Sequence, residues 1–288
     1  MRFVEPESIE KAAAILAADP EARCLAGGAT LVAMMNAELV APSQLVSLRR
    51  IQALNGIEAQ PDGGMEIGAM SRHATVAAFP GFTGQQRLLS EAARRIGHPA
   101  IRNMGTLGGS ICHADPSADY PTAILAADAT AIAFGSEGRR EIPAAEFFLD
   151  WFETALEPGE LVVAVRLPPS PEDTAVHYEK FTRADGDFAT VSVAVSLRLE
   201  DGAIAALSLA VGGAAETPLR DRAAEEAVIG RSLDDAAIAE LAEALSALCN
   251  PIDDLRGSAD YRRKLVPRLI ARALRAAERK SKQGAEAA

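Results

Sequence analysis

The chain has 288 residues, 49% hydrophobic and 24% charged, and its 29 Lys+Arg against 40 Asp+Glu leave a net charge of −11. This composition excludes bulk disorder and collagen-like order, and the length suits about one to three domains that each bury a core without disulfides. No apolar run reaches eighteen residues, and Glu5, Pro6 and Glu7 interrupt the stretch where a secretory leader needs apolar residues, so neither a membrane span nor export is expected.

Ile9, Ala12, Ala13 and Leu16 recur at helical spacing behind Ser8, which predicts a short amphipathic helix capped by Ser8. Arg23–Ala26 reads as a brief strand that runs into Gly27-Gly28, and residues 31–40 then read as helix. Further β-like runs fall at Leu45–Leu48, Met65–Ala69, Ala129–Phe134 and Leu161–Leu167, with a helical stretch at Leu88–Ile96. Pro168, Pro169 and Pro171 deny the backbone both helix and ladder bonds and mark a boundary. Past it, three strands are predicted at Val176–Thr182, Phe188–Leu199 and Ala203–Val211, the last two joined by an Asp201-Gly202 hairpin turn. Ser232 is expected to open a helix bearing Ile238, Leu241, Ala242, Leu245 and Cys249 on one face. A last helix runs from about Tyr261 with the stripe Leu265, Leu269, Ile270, Ala273, Leu274 and Ala277, and the KSKQGAEAA end is expected to fray. The predicted class is α+β. A first domain of mixed strands and helices spans 1–170 in two lobes split near 55–60. A smaller domain of three antiparallel strands plus a helical bundle spans 175–280.

Gly27-Gly28 closes a strand-to-helix turn where backbone N–H groups could approach a phosphate. A second small-residue segment, Arg102 to Ser110, is followed by Asp115-Pro116-Ser117-Ala118-Asp119-Tyr120-Pro121. It suggests another backbone cradle, with Asp119 able to accept from ribose or ribityl hydroxyls. Neither segment is a Rossmann G-x-G-x-x-G or a P-loop. Cys24, Cys112 and Cys249 are too scattered to hold zinc or an iron–sulfur cluster, so no metal site is expected, and free thiols fit a reducing cytoplasm. His73, His98, His113 and His177 lie in unrelated segments, and no G-x-S-x-G nucleophile elbow occurs. Cys112 is expected to be small and buried, and Phe147, Phe148 and Trp151 to be core or partner-contact residues. Acidity argues against nucleic acid, although residues 262–282 carry nine Lys/Arg against Glu278 alone, a local +8 that leaves −19 elsewhere.

The motifs resemble, in order and over nearly the whole chain, the FAD-binding medium subunits of the molybdenum hydroxylases, the carbon monoxide dehydrogenase and xanthine dehydrogenase type. They are Ala26-Gly27-Gly28; Thr106-Leu107-Gly108-Gly109-Ser110 with Asp115-Pro116 and Asp119-Tyr120-Pro121; Glu157-Pro158-Gly159-Glu160-Leu161; Lys180-Phe181, Arg183 and Asp187-Phe188-Ala189; and residues 254–263 from Asp254 to Arg263. The resemblance implies noncovalent FAD, with Ala26, Gly27, Gly28, Ala29, Thr30 and Leu31 and the segment Thr106, Leu107, Gly108, Gly109 and Ser110 around its pyrophosphate. Asp119 would meet the hydroxyl-bearing part and Ile96 the adenine. Leu161 and Val162 would cover the isoalloxazine, with Phe188 beside the ring and Lys180 on the strand facing it. Ala29-Thr30, and Ser110 where many members have Asn, depart from the family's pattern while keeping small or polar side chains.

The resemblance further implies electron transfer with no catalytic acid or base in this chain. A large subunit would hold the molybdenum cofactor and a small subunit two-iron two-sulfur clusters, in a dimer of heterotrimers that passes electrons to an external acceptor. A self-contained FAD-dependent oxidase is the alternative enzyme, and a flavin-free interaction module the non-enzyme one. Three scattered cysteines speak against the cluster-bearing benzoyl-CoA reductase branch.

Overall fold

The computed structural model describes residues 1–287, with side chains through Gln283. The chain opens with β1 (Arg2–Val4), α1 (Ile9–Ala18), β2 (Arg23–Leu25), α2 (Leu31–Asn36) and β3 (Gln44–Ser47). The three strands form a parallel sheet in the order β1-β3-β2. Ser8 caps α1 as expected, accepting from the Lys11 N–H at 3.3 Å. The helix at residue 31 is shorter than predicted. Glu38 takes a left-handed φ of 57°, and the Leu39 N–H reaches back to the Met34 carbonyl at 2.9 Å, which closes the helix.

Next come β4 (Ile57–Ala59), β5 (Met65–Gly68), α3 (His73–Ala78), α4 (Arg87–Arg95), α5 (Pro99–Met104), α6 (Leu107–His113) and α7 (Asp119–Ala126). They are followed by β6 (Thr130–Gly135), β7 (Gly138–Pro143), α8 (Ala144–Phe147), β8 (Phe148–Asp150), β9 (Glu153–Thr154) and β10 (Leu161–Leu167). Five of these strands make an antiparallel sheet in the order β4-β5-β10-β6-β7. Its central strand β10 is buried on both faces, which is why its sequence reads as an unbroken apolar run. Val162 and Val165 pack with Leu88, Leu89, Leu107, Tyr120 and Ile124, whereas Leu161 and Val163 pack with Ile9, Ala12 and Ala13 of α1.

The region 102–121, read from sequence as small-residue loops, folds instead as parts of three helices. Thr106 caps α6 through its side chain, and Leu107 and Ile111 are fully buried. Pro121 falls in the first turn of α7, where no intrahelical N–H is required.

The rest is β11 (Ala175–Phe181), β12 (Val191–Glu200), β13 (Ala203–Gly212), β14 (Leu219–Arg220), α9 (Arg222–Ala227), α10 (Asp235–Ala247) and α11 (Ala259–Ala287). The sheet is antiparallel in the order β11-β12-β13-β14, four strands rather than the expected three, because two residues past Pro218 return to pair with Ala210 and Val211. Asp201 and Gly202, at φ 49° and 81°, make the predicted turn. Residues 188–190 are absent from the strand assigned to them, since the Ala189 N–H donates to the Ser117 carbonyl at 3.1 Å instead of a ladder partner. Asp234, not Ser232, caps α10, accepting from the Ala237 N–H at 2.9 Å, and Cys249 lies beyond that helix. Val191, Val193, Val195 and Leu197 pack with the stripes of α10 and α11. The end expected to fray is helical through Ala287, and Ala288 lies outside the described residues.

The open edge of β11 is covered by side chains one helical turn apart on α4. Arg87 donates to the Thr174 carbonyl at 2.8 Å, and Glu91 accepts from the Tyr178 N–H at 2.8 Å. Lys280 of α11 joins them, reaching Glu91 and the Val176 carbonyl, both at 2.6 Å. The basic last helix finds acids within the chain: Arg272 lies 3.2 Å from Glu179, and Arg275 pairs with Glu278 and Asp235.

Candidate functional site

Two segments about eighty residues apart in sequence meet where β2 ends. A Cβ on Gly27 would collide with the Met104 carbonyl oxygen, and one on Gly109 would stand 3.6 Å from Ala26 Cβ and 2.9 Å from Thr106 Oγ1. Gly28 holds a φ of 78°, open to glycine at little cost. Among the described residues, the backbone N–H groups of Gly27, Gly28, Ala29, Thr30 and Leu31 find no protein acceptor. Five uncommitted amides in a row beside a glycine surface are the chemistry that suits a diphosphate.

The second segment behaves differently from its sequence reading as an amide cradle. The N–H groups of Leu107 and Gly108 donate to the Ser71 and Ala69 carbonyls at 2.9 and 2.8 Å. Those of Gly109 and Ser110 donate to the Thr106 side chain and carbonyl at 3.2 and 3.0 Å. The donors are consumed by the start of α6. What the segment offers is shape: the exposed, Cβ-free Gly109 and the half-buried Ser110 hydroxyl. Behind it, buried His73 lies tilted against Tyr120 with ring centroids 5.3 Å apart, and burial, helped by Arg102, lowers the imidazole to about 4.

Asp119 is buried at the start of α7 with both carboxylate oxygens engaged. Tyr178 OH donates to Oδ1 at 2.9 Å and Lys180 Nζ to Oδ2 at 2.8 Å. Lys180 also donates to the Arg95 carbonyl at 3.0 Å. Burial raises the Asp119 carboxyl, with Lys180 and Tyr178 pulling the other way, and burial together with the Asp119 charge raises the Tyr178 phenol. An accepting role toward cofactor hydroxyls would therefore have to be shared with these two donors. Tyr178 was not singled out in the sequence, although its two-residue spacing from Lys180 on one strand was the available signal.

Ile96 is half-buried at the end of α4, where its carbonyl and that of Gly97 accept from Arg102 at 3.0 and 2.7 Å. Leu161 and Val162 are buried on opposite faces of β10. Phe188 is 39% exposed, with the Arg256 guanidinium 5.1 Å from its ring centre. The loop before it leans on the Ile96 turn, since a Cβ on Gly186 would come within 2.9 Å of His98. The Gly27 and Gly109 segments thus adjoin directly, while Lys180 and Asp119 form a separate buried pair linked to Ile96 through α4.

Cys112, expected to be buried, is exposed. Phe147 and Phe148 are core residues, whereas Trp151 is 38% exposed. No group of three His, Cys, Asp or Glu side chains that could hold a metal is found among the described residues, and none of their helices is long and apolar enough to cross a membrane.

Comparison with known proteins gives this arrangement a family. The model of the FAD binding domain in molybdopterin dehydrogenase matches residues 1–170, and that of the CO dehydrogenase flavoprotein C-terminal domain matches 176–277. The carbon monoxide dehydrogenase medium chain of Hydrogenophaga pseudoflava is 36% identical over 94% of this chain and 95% of its own. The glyceraldehyde dehydrogenase medium chain of Sulfolobus acidocaldarius is 34% identical over 95% and 96%. Among solved structures, carbon monoxide dehydrogenase from Hydrogenophaga pseudoflava superposes with a TM-score of 0.94 at 37% identity, covering 97% of this chain and 98% of that one. Quinoline 2-oxidoreductase from Pseudomonas putida 86 gives 0.91 at 31% identity, covering 98% of each. The chain belongs to the FAD-binding medium subunits of the molybdenum hydroxylases, the carbon monoxide and xanthine dehydrogenase type, and is an FAD-binding oxidoreductase subunit.

Proposed function

We propose that this subunit relays electrons from iron–sulfur clusters of a small partner subunit through its flavin to an external acceptor. The setting is a cytoplasmic complex, a dimer of heterotrimers, whose large subunit holds the molybdenum cofactor and oxidises the substrate. The observation that carries the reading is the row of five uncommitted amides at Gly27–Leu31 beside the bare face of Gly109. Bound there, FAD supplies a carrier able to exchange electrons one at a time or in pairs.

The chain's own residues do the holding. The Gly27–Leu31 amides beside Ala26 would donate to the diphosphate, and Thr106, Leu107, Gly108, Gly109 and Ser110 would form the opposing wall. Ile96 borders the adenine. Leu161 and Val162 would cover the isoalloxazine, with Phe188 beside the ring, Lys180 on the strand facing it and Asp119 toward the hydroxyl-bearing part, its carboxylate shared with Tyr178 and Lys180. Residues 1–170, in two lobes split near 55–60, form the FAD-binding domain, and 175–280 the second domain.

The test is purification through a tag on this chain, with subunits identified by mass spectrometry and metals quantified. A molybdenum-bearing large subunit and an iron- and sulfide-bearing small subunit should accompany it. A yellow chain that purifies alone and is bleached by an oxidisable substrate would support the self-contained oxidase instead.

A further inference from the structure

We propose that the cavity between the end of β11 and the start of α11 is the docking site for a planar, negatively charged electron acceptor. This rests on the electron-transfer reading above. The cavity is an open, shallow cleft of about 640 Å³ on the protein surface. Phe181 and Tyr261 line it, their rings edge to face with centroids 6.1 Å apart, and Leu255, 92% exposed, stands among its lining residues. Aromatic walls of this kind take a flat ring system.

Its charge is set by two arginines. Arg183 donates to the Leu255 carbonyl at 2.9 Å, and no carboxylate lies within ion-pair distance of it among the described residues. Arg256 stands 3.5 Å from Asp254, and its Nε is buried with no acceptor. Asp254 also lines the cavity, but its Oδ1 accepts from buried Arg262 and from the Arg256 and Gly257 N–H groups at 2.8 and 3.2 Å. Arg262 in turn is fixed by the Thr190 and Gly213 carbonyls at 2.7 and 2.8 Å. Asp254 therefore clamps the loop, and Arg183 and Arg256 keep donors to spare in a protein of net charge −11. Spare guanidinium donors on a protein wall favour a sulfonate, carboxylate or phosphate.

The cavity also adjoins the electron source. Arg256, one of its lining residues, lies over Phe188, the residue proposed to sit beside the flavin ring, which puts the cavity on the Phe188 side of the proposed site. A quinone-type acceptor would there take two electrons from the reduced cofactor and two protons from the solvent that fills the open cleft, becoming the quinol, while the cofactor returns to its oxidised form and releases its own protons to solvent.

The test uses the purified complex. Equilibrium dialysis measures binding of anthraquinone-2-sulfonate and of neutral 2-(hydroxymethyl)anthraquinone to wild type, Arg183→Gln/Arg256→Gln and Leu255→Glu. Leu255→Glu changes charge at an exposed position and spares the fold. The double variant should weaken sulfonate binding by about 10-fold and leave the neutral ligand within about 2-fold, as expected for lost charge-assisted bonds. Leu255→Glu should weaken the sulfonate in a salt-dependent way. Flavin reduced with dithionite should be reoxidised more slowly by anionic dichlorophenolindophenol in both variants. Sulfonate binding indifferent to both variants would overturn the site, and binding that follows the charges without any change in reoxidation would overturn the acceptor role. A complex that carries no flavin would instead refute the reading beneath it, while the dialysis still reports on the cavity.

Discussion

Gly27 lies so close to the peptide of Met104 that any Cβ there would overlap the Met104 carbonyl oxygen and come within 2.9 Å of Gly105 Cα. The contact fixes the amide row of residues 27–31 against the junction between α5 and α6. Gly27→Ala should therefore separate the two segments, with an overpacking cost of about 1–3 kcal/mol. The complex carrying it should show a lowered flavin-to-protein absorbance ratio at unchanged far-ultraviolet circular dichroism.

Gly109→Val approaches the same junction from the other side. Its Cβ would stand 2.9 Å from Thr106 Oγ1, loosening the α6 cap, and its methyl groups would cover the surface offered to the diphosphate. Flavin loss with a folded chain is expected. An equally yellow variant would remove Gly109 from the site.

The Asp119–Lys180 pair predicts an asymmetry between single and double substitutions. Both side chains are buried at 4% and 2% exposure, so Asp119→Asn or Lys180→Met alone should cost about 3–5 kcal/mol by leaving a buried charge uncompensated. The double variant should recover much of that loss. Urea unfolding of the three variants measures it, and additive single losses would show that the two charges do not depend on each other.

How much of this was legible in the sequence follows from where each signal resided. The strands β10, β12 and β13 declared themselves through unbroken or alternating apolar runs, and the glycine motifs through their residues and order. Helices α6 and α7 did not, because Gly108, Gly109 and Ser110 carry no apolar period. Their helical state comes from the Thr106 cap, from the burial of Leu107 and Ile111 of α6 toward β10, and from the burial of Tyr120 and Ile124 of α7 among α4, β12 and β13. The donors of that segment looked free until the Ser71 and Ala69 carbonyls, more than thirty residues upstream, were seen to accept from them. Tyr178 on Asp119 and Arg256 over Phe188 are likewise contacts across 59 and 68 residues of chain, beyond the reach of periodicity.

His73 predicts a pH dependence. Its folded-state pKa of about 4 lies below the ordinary 6.5, so between those values the unfolded chain binds a proton that the folded chain does not. The contribution of His73 to stability should fall as pH drops through 6.5 and level off near 4, by about 1.4 kcal/mol per pH unit in the middle of the window and on the order of 3 kcal/mol in all. In His73→Gln, urea midpoints measured across that range should vary less steeply, by about one proton's slope.

The most direct measurement is the flavin content of the complex purified through this chain. Acid precipitation followed by chromatography of the supernatant should yield one FAD per chain, released because the amides of residues 27–31 and the wall at Gly109 hold it without a covalent bond. A complex with no flavin, or colour that stays with the precipitated protein, would contradict the account.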